Sequence, residues 1–199
     1  TGIIPIGMEF NTVEYSLIDI NQVSSLALMG DSESRINFVK SFMNILAMNI
    51  VFHNVEAYII DDKQKNLSEM DKYGFVKRYT NDVAEGMIYI SDFYDDLEER
   101  EDEGPSEDTS TIVIVLNNIE LMRQLLADKS MSKEISNAIK RSNDNKAFIL
   151  FAQIENTPVG FNSSEILKTI KDERQGILFA PISDNKLYEI SGRVRADTM

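Results

Sequence analysis

The first segment with the residue types for chemistry is a junction where an apolar run ends at a glycine and a long amphipathic stretch begins. Its eight residues are Gly30, Asp31, Ser32, Glu33, Ser34, Arg35, Ile36 and Asn37. In a phosphate-binding loop of pattern G-x-x-x-x-G-K-[ST], backbone N–H groups surround the phosphates, and the lysine and hydroxyl reach phosphate and Mg²⁺. Here only the first glycine is kept, because Arg35, Ile36 and Asn37 replace the second glycine, the lysine and the hydroxyl residue.

The acidic side chains of this junction also oppose phosphate binding. Asp31 and Glu33 bring two carboxylates to the loop, and one like-charge pair near 4 Å costs about 1 kcal/mol in water and several times more in a partly dry site. Two interpretations stay open. Gly30 makes a strand-to-helix turn while Ser32 or Ser34, with the acids, caps the helix, or the loop keeps weak nucleotide binding.

The second segment follows the β-branched run 112–115. An active ATPase carries Asp and then Glu after such a strand, the first to position Mg²⁺ and the second to polarise the attacking water. Asn117 and Asn118 stand at these two places. An amide cannot act as the base and is a poor substitute for an anionic metal ligand. We therefore predict no catalytic residue and no metal site, with ATP and Mg²⁺ bound weakly or not at all.

Composition and charge restrict the function further. The 199 residues carry a net charge of -13, and 43% of them are hydrophobic, which is ordinary for a globular domain. Proteins that grip nucleic acid need clusters of Lys and Arg for the phosphates, and no cluster of four or five such residues occurs. We expect no nucleic-acid binding.

Cysteine is absent, which excludes disulfides and thiolate metal sites. No apolar run approaches the roughly 20 residues that span a bilayer, so we expect a soluble domain. The sequence opens Thr-Gly without a methionine. We expect it to be a segment of a longer protein that carries membrane anchors or further domains.

Short apolar runs alternate with amphipathic stretches, an order typical of an α/β fold with a mainly parallel central sheet. We predict one domain over residues 1–199. The predicted strands are 16–20, 25–29, 55–60, 75–79, 111–116, 147–152, 176–179 and 186–190. The predicted helices are 34–50, 82–99 with Asn81 as its cap, 120–126, 131–141 and 164–171. Strand 111–116 is expected at the centre of the sheet because its β-branched run suits burial on both faces.

An acidic segment interrupts this alternation. Residues 92–108 hold ten acidic residues and one basic residue, Arg100. The stretch 98–110 contains Gly104 and Pro105 and is too charged to bury, so we predict a mobile surface loop there. Contact with a basic partner surface is the functional alternative.

Two further residue types are assigned no chemistry. His53 is the only histidine and is predicted to lie at the surface or at a helix end. Six methionines are predicted to fill the core rather than line a groove; they are Met29, Met43, Met48, Met70, Met87 and Met122.

The sequence resembles FtsK/SpoIIIE-type ATPase domains, in particular the later tandem domains of the type VII secretion motors EssC and EccC. The segments that carry the resemblance are Ile4-Pro5-Ile6-Gly7, Leu17-Ile18-Asp19, the Gly30 junction, Asn117-Asn118-Ile119-Glu120-Leu121-Met122, residues 148–153 and Arg174-Gln175-Gly176-Ile177-Leu178-Phe179. Gln153 matches the family's sensor glutamine, whereas Ala152 departs from the usual threonine. Degeneracy of both nucleotide motifs points to the third, C-terminal ATPase domain.

The resemblance implies a three-layer P-loop NTPase fold of the RecA/FtsK-like type. It also implies a cytoplasmic domain of a cell-membrane protein, WXG-motif export substrates, neighbouring ATPase domains in the same chain, and a hexamer during transport. We expect a degenerate, non-hydrolysing domain with a regulatory or substrate-recognition role. The alternatives are an active or weakly active ATPase that uses Arg35 or a residue from a neighbouring subunit, and a DNA translocase, which the charge balance disfavours.

Overall fold

The computed structural model describes residues 3–8, 15–49, 54–106, 108–181 and 184–188. The strands are β1 (Ile3–Met8), β2 (Tyr15–Asp19), β3 (Ser25–Gly30), β4 (Val55–Ile60), β5 (Val76–Thr80), β6 (Thr111–Leu116), β7 (Ala147–Phe151) and β8 (Gly176–Phe179). The helices are α1 (Ser32–Asn49), α2 (Val83–Glu103), α3 (Ile119–Ala127), α4 (Lys129–Ser142) and α5 (Glu165–Glu173), with a 3₁₀ turn at Ser68–Lys72. In the part of the chain covered by these ranges, no helix is long and apolar enough to cross a bilayer.

A six-stranded sheet forms the middle layer, with the strand order β5-β4-β6-β7-β3-β8. Every pairing in it is parallel. Each of the six side chains of β6 is buried, because β6 lies inside the sheet and both of its faces are covered. The prediction of a mainly parallel sheet with this strand near its centre is confirmed.

The two faces of the sheet are covered by different helices. One core cluster joins the sheet to α1 and to the 3₁₀ turn, and the other joins it to α2, α3, α4 and α5. The antiparallel hairpin of β1 and β2 packs on the α1 side through Ile4, Ile18 and Ile20. Because α1 leaves β3 on one face while α5 leaves the neighbouring β7 on the other, a crevice opens beyond their carboxyl ends, where ligands bind in such folds.

Several element predictions differ from the structure. β1 was not predicted as a strand, since Pro5 and Gly7 interrupt its apolar pattern. No strand forms at 186–188, the described part of the predicted strand 186–190. There the side-chain oxygen of Asn156 accepts hydrogen bonds from the N–H groups of Lys186 and Leu187. These backbone N–H groups therefore bond to a side chain and not to a neighbouring strand.

Helix α2 also begins and ends away from its predicted limits. Its cap is Asp82, whose carboxylate accepts from the N–H of Glu85 at 2.9 Å, and not Asn81. It runs to Glu103 rather than stopping near residue 99. Arg100 explains the longer helix, because its guanidinium donates to the carbonyl oxygens of Ser110, Asn145 and Lys146. Tertiary contacts thus hold the first part of the predicted acidic loop as helix.

The core contains most of the predicted methionines. Met29, Met43, Met70 and Met122 are buried and Met87 is partly buried. Met48 is 80% exposed, so its assignment to the core was wrong, because it lies two residues past Leu46 and therefore off the buried stripe of α1. His53 lies outside the described residues.

Candidate functional site

The Gly30 junction is a tight turn from β3 into α1. Strand β3 ends at Gly30 and α1 begins at Ser32, so one residue, Asp31, separates them. The N–H of Asp31 donates to the carbonyl oxygen of Phe179 at 3.0 Å. The N–H of Ser34 donates to the Asp31 carboxylate at 2.8 Å. These N–H groups, which a phosphate-binding loop aims at its ligand, are satisfied within the protein.

Asp31, one of the two acids of the predicted cap, therefore caps α1, whereas the part of the prediction that assigned the cap to Ser32 or Ser34 was wrong. An N-cap carboxylate satisfies a first-turn N–H and complements the positive end of the helix. The hydrogen bonds from Ser34 lower the pKa of Asp31 below its ordinary value, and Arg35 contributes in the same direction. The cap stays ionised at neutral pH.

Gly30 is required by the close approach of β3 to β8. Its φ is +94°, a backbone conformation that side chains with a Cβ rarely adopt. A Cβ at this position would lie 2.5 Å from the carbonyl oxygen of Phe179. The glycine has this structural reason to be present, independent of any phosphate.

Arg35 fills the crevice between the carboxyl ends of β3 and β7. Its Nε donates to the carbonyl oxygen of Gly30 at 3.1 Å, and its Nη1 donates to that of Ala152 at 2.5 Å. The residue is 7% exposed. Burial lowers the pKa of Arg35, while Asp31 and Asp62 act to raise it; arginine stays charged in proteins regardless. The guanidinium thus joins the carboxyl end of β3 to that of β7.

The remaining junction residues contribute no grouped chemistry. Ser32, Glu33 and Asn37 are exposed. Ile36, which stands at the lysine position, packs with the core cluster on the α1 side of the sheet. No cation from this turn therefore points into the crevice except Arg35, as far as the described residues go.

Asn117 and Asn118 both make structural hydrogen bonds at the end of β6. Asn117 Nδ2 donates to Asp61 Oδ1 at 2.8 Å. Asn118 Nδ2 donates to the backbone oxygen of Asp61 at 2.8 Å, and Asn118 Oδ1 accepts from the N–H of Leu121 as the cap of α3. Both residues are buried. The two amides join the carboxyl ends of β4 and β6.

Asp61 is the centre of this network. It is 0% exposed, and its carboxylate accepts four hydrogen bonds, from the N–H groups of Asp62 and Leu67, from Asn117 and from the Tyr79 hydroxyl. Such saturation is what a buried carboxylate requires. Burial, followed by the hydrogen bond to Asp61, raises the pKa of Tyr79 above its ordinary value. The carboxylate has no access to water.

Gln153, the predicted sensor residue, follows β7 in the same crevice. Its backbone N–H donates to the carbonyl oxygen of Leu116 at 3.2 Å. Its side-chain oxygen Oε1 is buried and has no hydrogen-bond partner among the described residues. Across those residues, no group of three or more His, Cys, Asp or Glu side chains is placed to hold a metal ion.

Sequence comparison finds no matching protein-family model and no matching curated protein, but solved structures match closely in shape. EssC ATPases 2 and 3 from Geobacillus thermodenitrificans match 98% of this chain with a TM-score of 0.71 and 19% identity. The cytoplasmic domain of EssC matches 97% with a TM-score of 0.69 and 17% identity. Thermomonospora curvata EccC (ATPases 2 and 3), in complex with a signal sequence peptide, matches 89% with a TM-score of 0.67 and 14% identity. The chain has the fold of a type VII secretion ATPase domain.

The chain covers only part of the length of each structure that it matches. It spans 37% of the Geobacillus EssC chain, 38% of the EssC cytoplasmic domain chain and 33% of the Thermomonospora EccC chain. The predicted fold is confirmed by these likenesses, since the three-layer architecture and the parallel sheet extend over nearly the whole chain.

Most of the crevice residues were identified from the sequence, but Asp61 and Tyr79 were not. The junction, the two asparagines and Gln153 follow β3, β6 and β7, whose carboxyl ends meet at one edge of the sheet. Asp61 ends the neighbouring strand β4 in the same way, and that position was the signal that could have found it. Tyr79 gave no such signal, because it lies within β5.

Proposed function

We propose that this chain is a non-hydrolysing ATPase domain of a type VII protein secretion motor, with a regulatory or substrate-recognition role. The fold likeness supports the assignment to such a motor. The observation that carries the loss of hydrolysis is the junction itself, where α1 begins at Ser32 and Arg35 binds the carbonyl oxygens of Gly30 and Ala152. The nucleotide crevice is occupied by the protein.

Binding of a triphosphate would require this junction to be rebuilt. The N–H groups of Asp31, Ser34 and Arg35 already bond to Phe179, to the Asp31 carboxylate and to the Asp31 backbone oxygen. Releasing them removes the helix cap, at a cost of about 1 kcal/mol, and a phosphate would then face the Asp31 carboxylate. The electrostatics and the hydrogen bonding both favour the closed junction.

Hydrolysis lacks a base for the same structural reasons. Asn117 and Asn118 are amides, and each is committed to Asp61. Asp61 is itself buried and saturated with donors. A general base must reach the attacking water through one hydrogen bond or through one intervening water molecule, and none of these three side chains is placed to do so.

The wider context of the proposal follows the structural neighbours. We assign the chain to the third ATPase domain of a membrane-anchored motor, on the cytoplasmic side, beside other ATPase domains of the same chain and within a hexamer. Multi-domain neighbours and the signal sequence peptide bound to one of them support this context. WXG-motif export substrates are the proposed partners, and a domain free of nucleotide chemistry is suited to recognise them.

Calorimetry and phosphate release test the proposal. The purified chain is titrated with ATP in the presence of Mg²⁺, and phosphate release is followed in the same preparation. We expect no saturable heat and no release above background. Micromolar, metal-dependent affinity together with steady phosphate release would overturn the proposal.

A matched variant separates the domain from a contaminating enzyme. Arg35→Lys keeps a cation in the crevice but cannot donate to two carbonyl oxygens with a fixed fork. Turnover that belongs to this site changes in the variant, and that result counts against the proposal. Turnover that stays unchanged in the variant comes from a contaminant and leaves the wild-type domain without hydrolysis, as proposed.

A further inference from the structure

A groove lies on the surface between the amino-terminal ends of α4 and α5. Its volume is about 600 Å³, which is within the range of sites that hold small ligands and is sufficient for a few peptide side chains. Its lining includes Leu126, Lys129, Lys133, Phe161, Glu165 and Lys168. None of these residues contributes to the nucleotide crevice.

The groove has a fixed floor because α4 and α5 are tied together below it. Ser132 Oγ accepts from the N–H of Ile166 at 3.2 Å, and the hydroxyls of Ser136 and Thr169 lie 2.6 Å apart in the buried interface. The two bonds advance in the same direction along both helices, so the helices are parallel. Their amino-terminal ends therefore lie together at the groove.

Lysine side chains make the groove positive in an acidic protein. Lys129 and Lys133 are exposed on the first turns of α4, and neither forms an ion pair with any described residue. Lys168 pairs with Glu165 at 2.8 Å, which neutralises both charges. Two unpaired positive charges thus face the groove, while the chain as a whole carries a net charge of -13.

The helix ends themselves are already satisfied. Asp128 accepts from the N–H groups of Ser130 and Met131, and Ser164 accepts from that of Leu167. A ligand at the groove would therefore meet the lysine side chains and not free backbone N–H groups.

An aromatic side chain stands at the edge of this positive surface. Phe161 is 94% exposed, more than any other large hydrophobic residue that the structure describes. The Nζ of Lys168 lies 6.0 Å from the centre of its ring. Aromatic side chains are enriched among the residues that carry the binding energy of protein interfaces, and Phe161 lines the same groove as the unpaired Lys129 and Lys133.

We propose that this groove docks an acidic peptide segment that carries a large apolar side chain. The apolar side chain packs against Phe161 and Leu126, and its carboxylates pair with Lys129 and Lys133. Charge complementarity selects this occupant, because a basic segment would meet two unpaired lysines. The inference rests on the proposed recognition role of the domain and names the surface and the chemistry that perform it.

Fluorescence anisotropy tests the groove with a defined probe. The probe is a labelled amphipathic helical peptide with glutamate on one face and leucine and phenylalanine on the other, and its counterpart carries lysine in place of every glutamate. We expect saturable binding of the acidic peptide, weakening as salt is raised, and no binding of the basic peptide. No saturable binding of the acidic peptide, or equal binding of both, overturns the proposal.

Surface variants locate the binding. The double variant Lys129→Glu and Lys133→Glu is expected to weaken binding of the acidic peptide about tenfold or more. Its control is Lys65→Glu with Lys77→Glu, which changes the net charge equally at exposed positions elsewhere and should leave the affinity within about twofold. Binding that weakens equally in both double variants reflects net charge alone and overturns the docking site.

The aromatic anchor is tested in the same assay. Phe161→Ala is expected to weaken binding about tenfold, whereas Ile88→Ala, at a hydrophobic residue that is exposed on α2, should have no effect. Both side chains are exposed, so both variants are expected to fold. Equal affinities for the two variants would place the peptide elsewhere.

Three further outcomes distinguish this inference from its alternatives. Groove-dependent binding to phosphatidylglycerol vesicles, without binding of the peptide, would replace the peptide with a membrane surface and overturn the proposal. If the affinity for the peptide is the same in the groove variants as in the wild type, the proposed groove is wrong but the proposed function is unaffected. If the wild-type domain hydrolyses nucleotide, the proposed non-hydrolysing function is wrong but the result for the groove is unaffected. The two failures are therefore separable.

Discussion

Restoring an acid at the end of β6 should destabilise this domain. The variant Asn117→Asp has nearly the same shape but removes the donor to Asp61 and places a second carboxylate against it. The Nδ2 atom that is replaced lies 2.8 Å from Asp61 Oδ1, and both residues are buried. The residue that an active ATPase uses for Mg²⁺ is thus incompatible with the Asp61 network of this protein.

The size of the effect follows from two competing costs. Two full charges at 2.8 Å repel by about 6 kcal/mol at an effective dielectric constant of about 20. Keeping one proton on the pair instead costs about 1.36 kcal/mol per pH unit above the ordinary aspartate pKa near 3.9, or about 4 kcal/mol at pH 7. Holding one proton on the pair costs less than holding two charges, so the folded variant keeps the proton. About 4 kcal/mol of the free energy of unfolding is therefore lost at neutral pH.

The pH dependence gives the prediction a sign. The folded variant binds one more proton than its unfolded chain between about pH 4 and pH 7, so its stability rises by about 1.4 kcal/mol for each unit that the pH falls. Urea unfolding of wild type and variant at pH 5 and pH 7 measures this slope. A loss of under about 1 kcal/mol at pH 7, or a loss that does not shrink at pH 5, would refute the reasoning.

Asn66→Asp is the matched control for that variant. Asn66 Nδ2 donates to Asp62 Oδ2 at 2.7 Å, so the same amide-to-carboxylate change is made beside another aspartate. Asn66 and Asp62 are only partly buried, and solvent screens their repulsion to about 1 kcal/mol. A control that loses as much stability as Asn117→Asp would show that burial of the Asp61 network is not the cause.

The remaining predictions concern the junction after β3. Gly30→Ala should lower the free energy of unfolding by about 3 kcal/mol or more, because φ is +94° and the new Cβ would lie 2.5 Å from a carbonyl oxygen of β8. Gly104→Ala, with φ of +74° and open space around its Cβ, tests positive-φ backbone strain without a steric clash and should cost about 1–3 kcal/mol. Arg35→Met keeps the apolar stem but leaves two carbonyl oxygens unpaired, at a cost of about 2–3 kcal/mol. Urea unfolding measures all three, and an unchanged midpoint for Arg35→Met would contradict the role given to its guanidinium.

The layered fold was predictable because its signals are local. The continuous β-branched run of β6 and the alternation of apolar runs with helical stripes fix the sheet and its central strand. The two asparagines at the end of β6 were also visible as the wrong residue types for an ATPase. In each case the residue type and its position along one element carry the information.

The missing parts depend on contacts between segments that are distant in sequence. The helical state of residues 100–103 depends on Arg100 bonding to carbonyl oxygens as far away as Lys146, and composition alone favours a loop there. Asp31 rather than Ser32 caps α1 because β3 ends at Gly30, held by the pairing of β3 with β8. In the sequence, Arg35 only stands at the position of a loop glycine. Its hydrogen bond to the carbonyl oxygen of Ala152 becomes visible only in the fold.

Two clamps close the carboxyl edge of the sheet at separate points, and their mechanical effect extends beyond nucleotide chemistry. Asp61 fastens the tips of β4, β5 and β6 through Asn117 and Tyr79, and Arg35 fastens β3 to β7. Together the two clamps join the ends of five of the six strands of the sheet through hydrogen bonds made inside the domain. The domain should therefore respond to a pull or push from an adjoining unit by moving as a single block.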